Sequence, residues 1–193
     1  MFLSREALQA KFDVALPYEG FVQLGEPEGH RPPWDQRYGQ LALTDEQRTL
    51  VEGFGRTMHV LCLTGTWCGD CALQGAAMQR VAEANPERIQ LRYILRCEEH
   101  ADLVVKARIN AGFRVPVTWF MAEDFEPVAC FGDRTLSRYR SMARKALPPE
   151  ETAAFAVAPE DPVRAVLGEV LDEFERVHLL LRLSTRLRQL HSD

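Results

Sequence analysis

The stretch Thr66-Trp67-Cys68-Gly69-Asp70-Cys71 decides how this chain is read. Two cysteines stand three positions apart. The apolar run His59-Val60-Leu61-Cys62-Leu63 leads into them, and an alanine- and leucine-rich stretch, Ala72 to Ala84, follows. That pattern predicts a strand, a tight turn and a helix, with Cys68 at the helix N-terminus. The free N–H groups at a helix start stabilise negative charge. A thiolate there has a lowered pKa, and the thiolate is the reactive form. Cys71 lies one turn further on, within reach of a mixed disulfide on Cys68. The pair thus supplies an attacking and a resolving thiol, the minimum for thiol–disulfide exchange.

Outward from this motif, the composition sets limits. The chain has 193 residues, 46% hydrophobic and 26% charged, which suits a soluble globular domain with extensions. A net charge of −5 argues against a broad grip on nucleic acid. No segment approaches the roughly 20 apolar residues of a membrane span. The start, Met1-Phe2-Leu3-Ser4-Arg5-Glu6, lacks the basic and apolar regions of a signal peptide. Five cysteines, Cys62, Cys68, Cys71, Cys97 and Cys130, are too few for a disulfide scaffold, so a reducing, cytoplasmic setting is expected.

In chain order, Ser4 is expected to cap a short helix through Lys11 or Phe12. The many prolines and glycines from Pro17 to Pro33 predict an irregular segment laid over the domain and anchored by Phe21, Trp34 and Tyr38. Thr44-Asp45-Glu46-Gln47 is a capping box opening a helix to about Phe54, with Leu50, Val51 and Phe54 inward. Thr57 to Leu63 reads as a central strand and Ile89 to Leu95 as a second. Glu98 to Asn110 reads as a helix, and Val115 to Met121 with Pro127 to Phe131 as a hairpin. A helix from Arg134 to Leu147 should turn Leu136, Tyr139 and Met142 inward. The expected class is α/β, a mixed sheet flanked by helices. After a proline-bracketed linker, Asp161 and Pro162 open a long helix. Its stripe of Val163, Val166, Leu167, Val170, Leu171, Phe174, Val177 and Leu181 would either pack on the domain or form a homodimer seam.

These residues are similar to the thioredoxin superfamily over roughly residues 43–147. The likeness rests on Trp67-Cys68-Gly69-Asp70-Cys71 after a hydrophobic strand and on Arg114-Val115-Pro116-Val117-Thr118-Trp119-Phe120, which resembles the family's cis-proline segment. The Gly-Asp pair between the cysteines resembles a bacterial thioredoxin-like group. The division implied is an N-terminal extension over 1–42, a thioredoxin-like domain over 43–147 and a linker with a long amphipathic helix over 148–193. By resemblance Cys68 is the nucleophile, Cys71 the resolving thiol, and Pro116 a cis residue facing them. Trp67, Val115, Pro116 and a Phe131-Gly132 turn would surround the sulfur and receive an extended substrate chain. Gly69, Asp70 and Cys62 would modulate the pair.

The chain also departs from that family. Thioredoxins proper carry a buried aspartate where Cys62 stands, so their proton relay is weakened here. Asp70 replaces a proline. Its charge should raise a thiol's pKa, or it could serve as the missing base. The resemblance implies no cofactor and no metal, a disulfide-containing protein as substrate and an external reductase to regenerate the dithiol.

The other readings of the pair are a zinc half-site, a redox-inert structural pair and a redox-sensing interaction module without turnover. Zinc usually takes four ligands. Here Cys62, Cys97 and Cys130 are singletons, and His59 and His100 stand at no ligand spacing. Cys62 and Cys130 are expected to be buried core thiols. Cys97 is expected at a strand end on the active-site edge, as an auxiliary or a plain half-exposed thiol.

Overall fold

A computed structural model describes residues 3–152 and 157–193. Met1 and Phe2, and residues 153–156 of the expected linker, lie outside the described residues. The helices are α1 (Arg5–Val14), α2 (Tyr18–Gln23), α3 (Arg31–Gln40), α4 (Asp45–Glu52), α5 (Gly69–Ala84), α6 (Ala101–Lys106), α7 (Leu136–Ala146), the single turn α8 (Pro149–Thr152), α9 (Pro162–Leu183) and α10 (Thr185–His191). The strands are β1 (Met58–Thr64), β2 (Ile89–Leu95), β3 (Val117–Met121) and β4 (Pro127–Gly132).

The sheet order is β2-β1-β3-β4. β1 runs parallel to β2 and antiparallel to β3, and β3 pairs antiparallel with β4. β1 is buried along its whole length, as a central strand covered on both faces must be. Its side chains alternate between two cores. Met58, Val60 and Cys62 face α5 and α9, while Leu61 and Leu63 face Leu8 and Phe12 of α1 and Leu103 of α6. This is the mixed α/β architecture that the residue pattern predicts.

The region from Pro17 to Pro33 is mostly helical, against the irregular segment expected. Pro17 precedes α2, and Pro32 and Pro33 occupy the first turn of α3. There the missing N–H has no intrahelical partner to lose, so proline starts a helix rather than breaking one. Phe21 and Trp34 are fully buried. Leu16 pairs with Tyr93 of β2 through backbone bonds of 2.9 and 2.7 Å, closing one edge of the sheet.

The capping box of α4 is present, with Gln47 N–H on the Thr44 hydroxyl at 3.2 Å and Thr44 N–H on the Gln47 amide oxygen at 3.0 Å. Val51 and Phe54 are buried, whereas Leu50 is exposed. The predicted helix from Glu98 to Asn110 is shorter: a 3₁₀ turn over Glu98–His100 and then α6, ending at Lys106. Asn110 and Ala111 adopt left-handed φ values of 48° and 59°, which a continuing helix cannot accommodate.

α9 buries Val166, Leu167, Val170, Leu171, Phe174, Val177 and Leu181 against the domain. Each such side chain contributes about 1.5–3 kcal/mol. The expected stripe is therefore used within the chain, while Leu179, Leu183 and Leu190 stay exposed. Ser184 ends α9 and caps α10 through its hydroxyl, which accepts from Leu187 N–H at 3.4 Å. Among the described residues no helix is long and apolar enough to cross a membrane.

Candidate functional site

β1 ends at Thr64, and the chain turns through Gly65, Thr66 and Trp67 before α5 begins at Gly69. Cys68 is the N-cap of α5. Its sulfur accepts the Cys71 N–H at 3.4 Å, and its carbonyl accepts from Ala72 N–H at 2.9 Å. A sulfur in the cap position meets donors that have no intrahelical partner. Cys68 and Cys71 are free thiols, the first half-buried and the second sealed from solvent.

The two thiols are pushed apart in acidity. Hydrogen bonding with the Cys71 thiol, then the N–H groups of Cys71 and Asp70, lowers Cys68 to about 6 against burial and the Asp70 charge. Burial, then the hydrogen bond and charge of Cys68, raises Cys71 well above an ordinary thiol. Burial likewise pushes Cys62 up to about 12. The expected rise from Asp70 exists but is outweighed. Cys62 packs on the same face of the sheet as Cys71, as a neutral thiol.

The Val115–Pro116 peptide bond is cis and precedes β3. The Cys68 thiol points at the Val115 carbonyl at 4.0 Å, the outer limit of a sulfur hydrogen bond. Of the apolar residues expected around this sulfur, Trp67 is 47% exposed and Val115 and Phe131 are half-buried. Pro116 is buried, so it backs the site rather than surfacing it. Phe131 and Gly132 form no turn. They end β4, in register with Thr118 and Val117. Cys130 is exposed rather than buried, because β4 is an edge strand with one face outward.

Sequence reasoning missed the ionic surroundings of Asp70. Arg134 Nε donates to one carboxylate oxygen at 2.6 Å, and Arg138 Nε donates to the other. Arg134 also donates to Asp133 at 3.1 Å, and Arg114 donates to the same Asp133 oxygen at 3.0 Å. These partners lie 64 and 68 residues from Asp70, beyond any local pattern.

The N-terminal segment also reaches the site. Trp34 donates its indole N–H to the Thr66 carbonyl at 2.8 Å, and His30 Nδ1 lies 3.1 Å from the Thr66 hydroxyl. Gly75 of α5 makes room for Trp34, since a Cβ there would meet the indole at 2.5 Å. On the other side Arg96 lies 5.5 Å from the Trp67 ring centre. The half-buried Cys97 next to it offers a sulfur that lies with Glu99 and His100 donor atoms within 4.8 Å of one another, a grouping that the spacing rule passes over.

The thioredoxin family model matches residues 24–146, beginning well before position 43. No curated protein matches the sequence. A 1.5 Å crystal structure of a protein of unknown function from Pseudomonas aeruginosa aligns with a TM-score of 0.65 at 20% identity, covering 91% of this chain and 99% of that one. An HIV epitope-scaffold aligns at 0.60 and 20% identity, covering 90% and 99%. At that identity both likenesses concern the fold.

Proposed function

The chain belongs to the thioredoxin family, and on that premise we propose that it is a thiol–disulfide oxidoreductase reducing protein disulfides with Cys68 and Cys71. The observation that carries this reading is the division of labour between the thiols. Cys68 is half-buried at a helix start and lowered to about 6, while Cys71 beneath it is sealed and held protonated. Such a Cys68 presents the thiolate, the attacking form, more readily than an ordinary thiol does.

The Cys68 thiolate attacks one sulfur of a substrate disulfide. The S–S bond breaks, a Cys68–substrate disulfide forms, and the first substrate thiolate leaves. Cys71 then gives up its proton and attacks the Cys68 sulfur. That step closes the Cys68–Cys71 disulfide and releases the second substrate thiol. Two electrons have passed from the pair to the substrate, and an external reductase restores the dithiol. Ionisation of Cys68 favours the first step, and its loss on forming the mixed disulfide removes a cause of the raised Cys71 pKa. The Val115 backbone beside the sulfur offers hydrogen bonds to an extended substrate chain. The setting that suits this chemistry is a reducing, cytoplasmic one.

Turnover of insulin disulfides with dithiothreitol as electron donor tests the reading. Wild-type protein should be active, Cys68→Ser inactive, and Cys71→Ser should accumulate a mixed disulfide. An inactive wild type, or full activity in Cys68→Ser, removes it. Reversible oxidation of the pair without turnover would point instead to a redox sensor.

A further inference from the structure

Asp70 sets a carboxylate two residues beyond the Cys68 sulfur, in the first turn of the same helix, with its side chain only 10% exposed. An unpaired carboxylate there repels a thiolate and favours the neutral thiol. Asp70 is not unpaired. Arg134 occupies one oxygen at 2.6 Å, and Arg138 occupies the other. Arg134 is held from behind by Asp133, whose side chain is 3% exposed and also accepts from Arg114 and from the Tyr139 hydroxyl.

Arg138 is presented by α7, whose first turn is fixed to α9. Ser137 N–H and its hydroxyl donate to the Glu169 carboxylate at 2.9 and 2.7 Å. The signs alternate along Arg138, Asp70, Arg134, Asp133 and Arg114, and the chain ends next to Val115, the residue facing the sulfur. Both oxygens of Asp70 are thus matched by guanidinium groups, so its charge does not stand unopposed beside the sulfur.

We propose that Arg134 and Arg138 are positioning residues of the dithiol site, neutralising Asp70 and so holding the Cys68 sulfur in its ionised, attacking form. This rests on the exchange reading of the pair, but it concerns the thiol before any substrate arrives. The other groups around the sulfur are Cys71 on α5, Cys62 on β1, Arg96 over Trp67, Arg114 beside Val115 and His30 on Thr66. All of them stay in place in the variants below.

The test is the rate of Cys68 alkylation by iodoacetamide in the reduced, full-length protein, followed peptide by peptide from about pH 4.5 to about pH 9. The wild-type inflection should lie near 6. Arg134→Gln with Arg138→Gln should raise it by about one pH unit, a roughly tenfold loss of rate below the inflection. Adding Asp70→Asn to that background should bring it back to the wild-type value or lower. An unmoved inflection, or a raised one that Asp70→Asn does not restore, overturns the proposal, since a merely structural role would not be rescued by removing the charge. If the double arginine variant does not fold, Arg138→Gln and Asp70→Asn alone should move the inflection up and down respectively, and two unmoved values overturn it as well. Alkylation needs no disulfide substrate. Expected shifts without insulin turnover would therefore count against the exchange reading alone.

Discussion

Trp34 donates its indole N–H to the Thr66 carbonyl at 2.8 Å, from a side chain that solvent does not reach. A residue of α3 thereby fixes the turn that delivers Cys68, two positions beyond Thr66. The same indole fits against α5 because Gly75 has no side chain.

Trp34→Phe should destabilise the protein by about 2–4 kcal/mol. It leaves the Thr66 carbonyl without its donor and opens a void beside Phe21 and Tyr93. Gly75→Ala should cost about 1–3 kcal/mol by forcing the indole aside. Urea denaturation midpoints check both, and wild-type midpoints would mean that Trp34 does not brace the turn.

Cys62 is a neutral, wholly buried thiol whose pKa burial has pushed up to about 12. Such a group takes up no proton near pH 7. Cys62→Ala should therefore leave the pH inflection of Cys68 alkylation in place and cost only about 1–2 kcal/mol in stability. A shift of a unit or more in that inflection would make Cys62 a working member of the proton relay after all.

His59 stacks on Phe125 with ring centres 4.1 Å apart, and burial lowers its pKa from 6.5. The folded protein thus binds the proton less readily than the unfolded chain. Its contribution is fully present above the unfolded value and is lost as pH falls through the lower folded one. Thermal midpoints should fall between pH 7 and pH 5, and His59→Phe should flatten that part of the profile. An identical slope in the variant would remove His59 as the cause.

The elements nearest the cysteines were the most legible in the sequence. β1 is an apolar run broken by His59, α5 is rich in helix formers, and the cis-proline segment has its own signature. The α7 face was not legible. Leu136 and Tyr139 read as inward on apolar spacing, yet they are 57% and 42% exposed and Ser137 is buried. The helix is turned by polar partners outside it: Glu169 on Ser137 and Asp70 on Arg138, both far off along the chain, and Asp133 on Tyr139, just before the helix. Periodicity counts apolar side chains and carries no record of such partners. The prolines from Pro17 to Pro33 mislead for a related reason. A proline marks a boundary, and only the residues packed behind it, here Trp34, decide whether a helix starts or stops.

The short pairing of Leu16 with Tyr93 bears on how molecules of this kind meet one another. An open strand edge is a template on which a foreign strand can hydrogen-bond. Here the chain's own backbone occupies the middle of β2, using both the N–H and the carbonyl of Tyr93. An incoming strand cannot run along that edge in register without first peeling away the segment between α1 and α2. The protein thus covers the middle of this side of its sheet with its own N-terminal segment.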